Sequence, residues 1–159
     1  MAAVFYYQTE LGLLGIEENG KALTKAYLGK TELPHEADLR ETALLQEAGR
    51  QVKEYLAGVR TEFTLPLAPA GTDFQRRVWA ALQKIPYGET RTYGDMAVCV
   101  GCPKGARAVG RANHNNPLLL FIPCHRIVGA AGGLVGYAGG LEAKEYLLKL
   151  ESHVAGGIL

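Results

Sequence analysis

The sequence contains few cysteines and no long apolar run. Three cysteines in 159 residues do not make a disulfide framework, so the composition is typical of a reducing compartment. No basic leader followed by an apolar run opens the sequence, and no apolar stretch approaches the roughly 20 residues that cross a bilayer. We therefore expect a cytoplasmic protein without a membrane partner.

The net charge of +1 hides an uneven distribution. Residues 1–71 carry 7 Lys and Arg against 10 Asp and Glu, whereas residues 72–159 carry 10 against 6. A basic second half is suited to contact phosphate groups, although a solvated surface with uneven charge has the same composition. Charge alone leaves both interpretations open.

The first half predicts a small sheet covered by a helix. Three segments, AVFYYQT, GLLGIEE and KALTKAYLG, are rich in β-branched or aromatic residues and are separated by glycine-containing turns. This pattern is typical of a three-stranded antiparallel sheet. From His35 to Leu56 the apolar period becomes helical, and Gly58 follows as a stop signal.

A connector rich in proline, alanine and glycine separates the two halves at residues 69–72. This composition is typical of a linker, so we predict domains of residues 1–71 and 72–159. A sheet with its covering helix, followed by a mostly helical domain, makes an α/β (α+β) fold.

The second domain is predicted to consist of short helices. Thr72 or Asp73 caps the first of them. Another begins at Thr92 and ends at Gly101, and the next follows after a two-residue turn with Pro103 at its first position. Two short helices with so tight a joint predict a helix-turn-helix.

The helix after Pro103 is predicted to be thin and basic. Lys104, Arg107 and Arg111 are spaced at i, i+3 and i+7 and so share a face. The rest of its surface is made of small residues, namely Ala106, Ala108 and Gly110. Such a helix can enter the minor groove of B-DNA, which is only about 6 Å wide, and a long arginine can enter the base stack. The alternative is that the small residues only permit packing against the core.

The segment FIPCHRIVG places Cys124 and His125 side by side in an apolar run. Neighbouring residues point apart on a helix or strand, so these two can cooperate only in a tight turn or through a water molecule. Pro123 favours such a turn. The imidazole could then accept the thiol proton, provided that a third group held it in place. The alternative is a buried structural cysteine.

Spacing does not determine which carboxylate would hold the imidazole. The last predicted helix, LEAKEYLLKLE, offers three glutamates: Glu142, Glu145 and Glu151. Glu151 is a plausible partner, but the pattern alone does not select it over the other two.

Several segments of the second half resemble, in order, the motifs of the O6-alkylguanine-DNA alkyltransferases: FQRRVWAAL, IPYGETRTYGDMA, ARAVGRANHNNP, IPCHRIVG and GYAGGLEAKEYLL. Agreement of several separate motifs in order and spacing makes a chance match remote. The resemblance covers residues 74–151, and the strand-then-helix pattern of the first half is compatible with the family's variable N-terminal domain.

The resemblance implies a role for each matching residue of the site. Cys124 would be the alkyl acceptor, His125 its water-mediated base and Glu151 the third member of the relay. Tyr93 would donate a hydrogen bond to the guanine as it leaves, and Asn116 would brace the turn that carries the cysteine.

The resemblance also implies a DNA-binding surface and a substrate pocket. Arg107 would fill the gap left by an extruded base, and the rest of the basic helix would lie on DNA. The pocket would be formed by residues on either side of the motif, namely Pro123, Val128, Tyr137 and Ala138.

The activity that these roles imply is direct repair of double-stranded DNA. After base flipping, the alkyl group of O6-alkylguanine would move to Cys124, once per protein molecule, with O4-alkylthymine as a further candidate substrate. We expect a monomer that needs no cofactor and no metal, associated with the nucleoid if the source is prokaryotic. Whether it binds DNA cooperatively is left open.

Cys99 and Cys102 form a C-x-x-C pair that the resemblance does not explain. Such a pair can be redox-active or half of a zinc site, but no second pair follows, so the preferred interpretation is that Cys99 packs inside the helix-turn-helix and Cys102 lies at its turn. Gly105 stands where the family more often has alanine. The first half has no cysteine, so the zinc site of eukaryotic members cannot be present.

Two other classes of protein fit parts of the pattern. A damage sensor of the alkyltransferase-like type lacks the acceptor cysteine, and Cys124 argues against it. A cysteine hydrolase would use Cys124 with His125, but the sequence has no recognisable oxyanion motif and carries a basic helix that such an enzyme does not need.

Overall fold

The computed structural model describes residues 2–29, 37–129, 137 and 139–156. The chain forms two units, one of Met1–Ala70 with Pro117–Phe121 and the other of Gly71–Asn116 with Ile122–Leu159. The predicted mixed α/β fold is confirmed. Among the described helices, none is both long enough and apolar enough to cross a membrane.

The first unit is built on a four-stranded sheet. Its strands are β1 (Ala2–Thr9), β2 (Gly12–Glu18), β3 (Leu23–Leu28) and β4 (Ala37–Leu39), in the spatial order β3-β2-β1-β4. The first three strands pair antiparallel, as the sequence predicts. The sequence analysis missed β4, a short strand that runs parallel to β1.

The helix that covers this sheet, α1, spans Ala43–Leu56, so the predicted start at His35 is wrong. His35 itself lies outside the described residues, and residues 37–39 form β4 because pairing with β1 outweighs their helical period. The helix begins where the Thr42 hydroxyl accepts a hydrogen bond from the Leu45 amide at 3.1 Å.

Two later segments close the edge of the sheet at β3. Isolated bridges join Leu23 to Leu67 and Ala26 to Leu118. The sequence analysis assigns residues 117–121 to the second domain, but they cluster with the first unit. An unpaired strand edge offers hydrogen bonds that an extended segment can take, and here residues 117–119 take them.

The second unit contains four helices in its described residues, with one two-stranded parallel sheet. The elements are α2 (Asp73–Leu82), β5 (Arg91–Thr92), α3 (Tyr93–Cys99), α4 (Ala106–His114), β6 (Ile127–Val128) and α5 (Leu141–Ala155). A single 3₁₀ turn, Cys124–Arg126, lies directly before β6. Thr72 rather than Asp73 caps α2, in a capping box with Gln75.

The turn between α3 and α4 is longer than the sequence predicts. Gly101, with φ of +81°, ends α3 in a Schellman motif in which the Cys102 amide donates to the Ala97 carbonyl at 2.9 Å. The Gly105 amide then donates to the Cys102 carbonyl at 2.7 Å, so a further turn forms before α4 begins. Pro103 therefore precedes the helix instead of opening it.

α4 is held against the core of the second unit by Trp79 of α2. The indole is buried, and its Nε1 donates to the Ala112 carbonyl at 2.8 Å. Val109 and Ala112 form the buried face of α4. The opposite face of the helix is thereby fixed toward solvent.

Candidate active site

The chain makes a sharp turn at the predicted acceptor cysteine. Pro123 has φ of −78° and ψ of 63°, and the Cys124 amide donates to the Ile122 carbonyl at 2.7 Å. These values define an inverse γ-turn, which leads directly into the 3₁₀ turn Cys124–Arg126. The tight turn that the proline predicts is present, and it buries Cys124 and His125 together.

Asn116, the second residue after α4, supports this turn. Its Nδ2 donates to the Ile122 carbonyl at 3.0 Å, and its side chain also hydrogen-bonds to the Cys124 thiol. Asn116 is itself buried. The amide thus contacts both the backbone of the turn and the sulfur atom, in keeping with its predicted bracing role.

A buried carboxylate contacts the imidazole of His125. Glu151 Oε2 lies 2.7 Å from His125 Nε2, and the exposed fractions of the two side chains are 1% and 0%. Glu142 and Glu145, which sequence spacing could not distinguish from Glu151, are exposed on α5. Because a carboxylate only accepts, Nε2 carries the hydrogen, and Nδ1 is the nitrogen that can receive a proton.

Arg126 is a site residue that the sequence analysis missed. Its Nε and a terminal guanidinium nitrogen lie 2.7 and 2.9 Å from the two oxygens of Glu151. The other terminal nitrogen donates to the Ile85 carbonyl at 2.7 Å. The signal in the sequence was a charged residue inside an apolar run, since a buried arginine requires a counter-charge.

Two further groups surround the same cluster. The Gly88 amide lies 3.3 Å from Glu151 Oε1, so four nitrogens of three residues donate to that one carboxylate. Lys144, also missed by the sequence analysis, is fully buried two helical turns before Glu151 on α5. Its positive charge acts to lower the pKa of the Cys124 thiol.

The resting protonation of the site follows from burial. Burial raises the pKa of Cys124 to about 11, although the Asn116 hydrogen bond and the Lys144 charge act in the opposite direction. Burial also lowers the pKa of His125, against the effect of Glu151. Burial acts to raise the pKa of Glu151, but the hydrogen bonds from His125 and Arg126 outweigh this effect and lower the pKa to about 2. At neutral pH the site therefore holds a thiol, a neutral imidazole and a carboxylate.

Tyr93 enters the site at the start of α3. β5 pairs with β6 through Thr92 and Val128, which brings the first residue of α3 beside the cysteine turn. Burial raises the pKa of Tyr93, and the nearby Cys124 raises it further. The phenol thus keeps its proton and remains a hydrogen-bond donor.

The predicted pocket residues are only partly described. Pro123 and Val128 are buried, and the ring of Tyr137 meets that of His125 edge to face, with centroids 6.3 Å apart. Ala138 lies outside the described residues. Three of the four predicted pocket residues are thus close to the cysteine. Pro123 and Val128 flank its turn, and Tyr137 contacts the imidazole of His125.

The basic side chains predicted to share a helix face do not all lie on the helix. Arg107 and Arg111 are exposed on α4, whereas Lys104 is exposed in the turn before it. Lys104 cannot extend the helical face as predicted, because the turn at Cys102–Gly105 displaces it from the helix. The three exposed basic residues nevertheless lie within one short segment, residues 104–111.

The small residues of α4 are half-buried. Ala106, Ala108 and Gly110 each have intermediate exposure. A methyl group at Gly110 would lie 3.6 Å from the ring of Tyr93. The thin part of the helix therefore packs beside a predicted catalytic residue, which is a structural reason for a small side chain there.

All three cysteines have free thiols. Cys99 is exposed, so the prediction that it packs inside the helix pair is wrong. Cys102 is half-buried and lies in the turn between α3 and α4, as predicted. Among the described residues, no cluster of His, Cys, Asp and Glu is arranged to hold a metal ion.

Both halves of the chain match known protein families. The DNA-binding domain of 6-O-methylguanine DNA methyltransferase matches residues 73–153, and the ribonuclease-like domain of the same protein matches residues 4–69. The methylated-DNA–protein-cysteine methyltransferase of Methanosarcina acetivorans is 49% identical over 141 residues, which cover 87% of this chain and 90% of the relative. The constitutive enzyme of that name from Bacillus subtilis is 46% identical over 151 residues, 91% and 92% of the two chains.

A solved structure supports the same grouping. The crystal structure of Mycobacterium tuberculosis OGT in complex with DNA has a TM-score of 0.91 to this chain at 41% identity. The match covers 96% of this chain and 94% of that one.

Proposed function

Because the chain belongs to the 6-O-methylguanine DNA methyltransferase family, whose members are DNA-repair methyltransferases, we propose that it transfers the alkyl group of O6-alkylguanine in double-stranded DNA to Cys124, once per molecule. The observation that carries this proposal is the buried arrangement of Cys124, His125 and Glu151 around a single turn. O4-alkylthymine presents the same kind of carbon on an exocyclic oxygen and is a second candidate substrate.

The proposed reaction is a displacement at a saturated carbon. The sulfur of Cys124 forms a bond to the alkyl carbon while the bond from that carbon to guanine O6 breaks, and the electron pair of the broken bond stays on the guanine. The thiol loses one proton and the departing guanine gains one, so the reaction needs no redox partner or cofactor. The product is a thioether, which has no carbonyl for water to attack, and so the thiol is not regenerated.

The base for this reaction is His125. With Nε2–H donating to Glu151, Nδ1 is the nitrogen without a hydrogen and can take the thiol proton, through one water molecule as the family resemblance implies. The raised pKa of Cys124 keeps the sulfur protonated until substrate arrives. A thiol that ionises only in the occupied site is protected from other electrophiles.

The leaving guanine requires a hydrogen-bond donor. Tyr93 remains protonated because burial and the neighbouring Cys124 both raise its pKa. A phenol directed at the developing negative charge stabilises the transition state more than the ground state. This supports the role of Tyr93 as donor to the departing base.

The DNA-binding part of the proposal rests on α3 and α4. We propose that they act as a helix-turn-helix whose second helix enters the minor groove, with Arg107 in the gap left by the flipped base. Lys104 and Arg111 contact phosphates on either side. Flipping a base costs a few kcal/mol, which phosphate contacts and the inserted arginine offset. The solved structure of OGT contains DNA, which supports DNA as the partner of this chain.

The remaining parts of the proposal concern the protein's state in the cell. A monomer acting in the cytoplasm, on nucleoid DNA in a prokaryote, fits a protein whose reaction is complete after one turnover and which needs no cofactor. Base-specific contacts are few in the minor groove, so we propose weak dependence on the sequence around the lesion.

The test is the mass of the protein after mixing with a duplex that contains one O6-methylguanine. We expect a gain of one methylene unit per molecule, located on the peptide that contains Cys124, and no further turnover when the DNA is in large excess. Cys124→Ser should gain no mass and still bind the duplex, and Cys99→Ser is the matched control that should behave as the wild type.

Other outcomes would identify the rival classes. Tight binding of the lesion by the wild type without a mass gain would indicate a damage sensor. Sustained turnover would contradict the single-use mechanism, and esterase activity that depends on Cys124 would indicate a hydrolase.

A further inference from the structure

The carboxylate of Glu151 is bound by arginine as well as by histidine. Arg126 approaches both of its oxygens, at 2.7 and 2.9 Å, and its third nitrogen is fixed to the Ile85 carbonyl at 2.7 Å. The side chains of Glu151 and Arg126 have exposed fractions of 1% and 9%. The two side chains therefore form a buried ion pair held at three points, and its carboxylate is shared with the imidazole of His125.

The number of charges in this cluster determines the protonation of His125. A buried carboxylate facing only a histidine favours a proton on the imidazole, because the resulting ion pair leaves no isolated buried charge. With Arg126 present, the carboxylate is already neutralised. A proton on His125 would then add an unbalanced positive charge, and the charge of Lys144 opposes it as well.

We propose that Arg126 is the positioning residue that keeps His125 in its neutral form by neutralising Glu151, so that the imidazole can accept the proton of Cys124. This inference rests on the proposed function and specifies which group sets the working pH range of that site. Glu151 orients the imidazole through Nε2, while Arg126 prevents the same carboxylate from holding a proton on the base.

Among the described residues, charged and aromatic groups face His125 from α5, from the turn itself and from Tyr137. Glu151 and Lys144 come from α5, Cys124 and Arg126 from the turn itself, and the Tyr137 ring meets the imidazole edge to face. Tyr87 faces the guanidinium of Arg126, with its ring centroid 5.6 Å from the central carbon. Among these groups Arg126 is the one that binds both oxygens of Glu151 and can be exchanged without touching the reacting atoms.

The test is the pH dependence of single-turnover transfer together with the titration of His125. In Arg126→Met, the acid limb of the rate profile and the NMR titration of the His125 ring should both move to higher pH by at least about one unit. The His125 signal can be assigned by its loss in His125→Asn, since the chain has 4 histidines. The transfer rate near neutral pH should fall with the fraction of neutral imidazole.

Arg126→Lys is the matched control, since it keeps the charge and loses the two-point contact. It should lower the rate at every pH while leaving the acid limb near that of the wild type. If Arg126→Met lowers the rate equally at all pH values and leaves the His125 titration unmoved, Arg126 only holds the structure together and the inference is wrong.

A third variant provides a test if Arg126→Met does not fold. Arg126→Met with Glu151→Gln removes both charges, and in it His125 should titrate no higher than in the wild type. A titration as high as that expected for the single variant would overturn the inference. The NMR measurement does not need alkyl transfer, so a failure of the proposed function, with no methyl group on Cys124, remains distinguishable from a failure of this inference.

Discussion

Glu47 in the first unit and Glu151 in the second have pKa values lowered to about 2 in very different surroundings. Glu47 lies on α1 with its side chain 41% exposed, and its pKa falls because Arg50 and Gln51 donate hydrogen bonds to it. Glu151 is buried, where desolvation acts to raise the pKa and only the hydrogen bonds and charges of its partners lower it. The two pKa values are equal, but the desolvation that opposes their lowering is weak at Glu47 and strong at Glu151.

The difference teaches where the structure depends on its charges. Water and salt can replace the partners of an exposed carboxylate, so its ion pair contributes little. No solvent reaches Glu151, so loss of one partner leaves the other charged and buried. In the first unit the described ion pairs are partly exposed, whereas the second unit holds its cluster at the cysteine turn.

The largest expected effect separates the two glutamates directly. Glu151→Gln keeps the shape of the side chain but leaves the Arg126 guanidinium without its counter-charge, so we expect it to destabilise the fold by about 3–5 kcal/mol. Because the imidazole also loses its orienting anion, methyl transfer should slow by at least about 100-fold. Urea denaturation and single-turnover mass spectrometry measure the two effects.

Glu47→Gln is the matched control in the first unit. Arg50 is exposed, and the buried amide of Gln51 also donates to Thr64 Oγ1 at 3.0 Å, so we expect the melting temperature and the transfer rate to stay close to those of the wild type. Comparable losses in the two variants would show that the comparison of buried and exposed carboxylates does not describe this protein.

The second effect is the pH dependence of stability. The pKa of Glu151 is lower in the folded protein than its ordinary value of 4.5, so the unfolded chain takes up the proton first as the pH falls. The stabilisation is complete above about pH 4.5 and is lost as the pH falls toward 2, by about 3 kcal/mol in all. Denaturant midpoints measured across this range should depend less on pH in Glu151→Gln than in the wild type.

His125 adds to the same trend at higher pH. Burial lowers its pKa below the ordinary 6.5, so the unfolded chain binds a proton below that pH while the folded chain does not. Stability should therefore also decline below about pH 6.5, and this part should disappear in His125→Asn. If stability depends on pH in Glu151→Gln and in His125→Asn as it does in the wild type, the buried charges do not have the effect described.

A third effect compares two glycines with positive φ. Gly88, at φ +83°, donates to Glu151, and a methyl group there would lie 2.4 Å from the Ala155 Cβ. Gly20, at φ +94° in the turn between β2 and β3, has nothing within 4 Å of the same position. We expect Gly88→Ala to destabilise by about 2–4 kcal/mol and to slow transfer, because backbone strain and overlap add.

Gly20→Ala should cost only its backbone strain, about 1 kcal/mol, and leave transfer unchanged. Thermal denaturation of both variants, with the transfer rate measured alongside, checks the pair. Equal destabilisation would mean that the overlap with Ala155 relaxes without moving Glu151.

Local signals in the sequence predicted much of this fold. The capping residues Thr72 and Thr92 start α2 and α3, and Gly101 ends α3, because these residue types satisfy helix ends by themselves. The start of α1 was mispredicted because residues 37–39 pair with β1, a partner distant in sequence. Hydrogen bonding between distant segments overrides a local period.

The site shows the same limit. The adjacent Cys124 and His125, with Pro123 before them, indicated a tight turn from the sequence alone. Glu151 was identified by family resemblance, and Arg126 and Lys144 were missed, because only the packing of α5 against the turn brings Glu151 to Arg126 and Lys144 to Cys124. Chemistry that depends on adjacent residues can be predicted from sequence, whereas charge balance across elements requires the structure.

The smallest effect compares two exposed arginines. Arg107 on α4 should fill the gap left by a flipped base, a task that exists only on a duplex. We therefore expect Arg107→Ala to slow transfer from a duplex containing O6-methylguanine by about tenfold and to leave transfer from free O6-benzylguanine unchanged. Arg40→Ala in the first unit, where the side chain is 52% exposed, should change neither rate. Equal losses on duplex and free base would mean that Arg107 acts on the fold or the pocket, and the basic surface of α4 would then have another purpose.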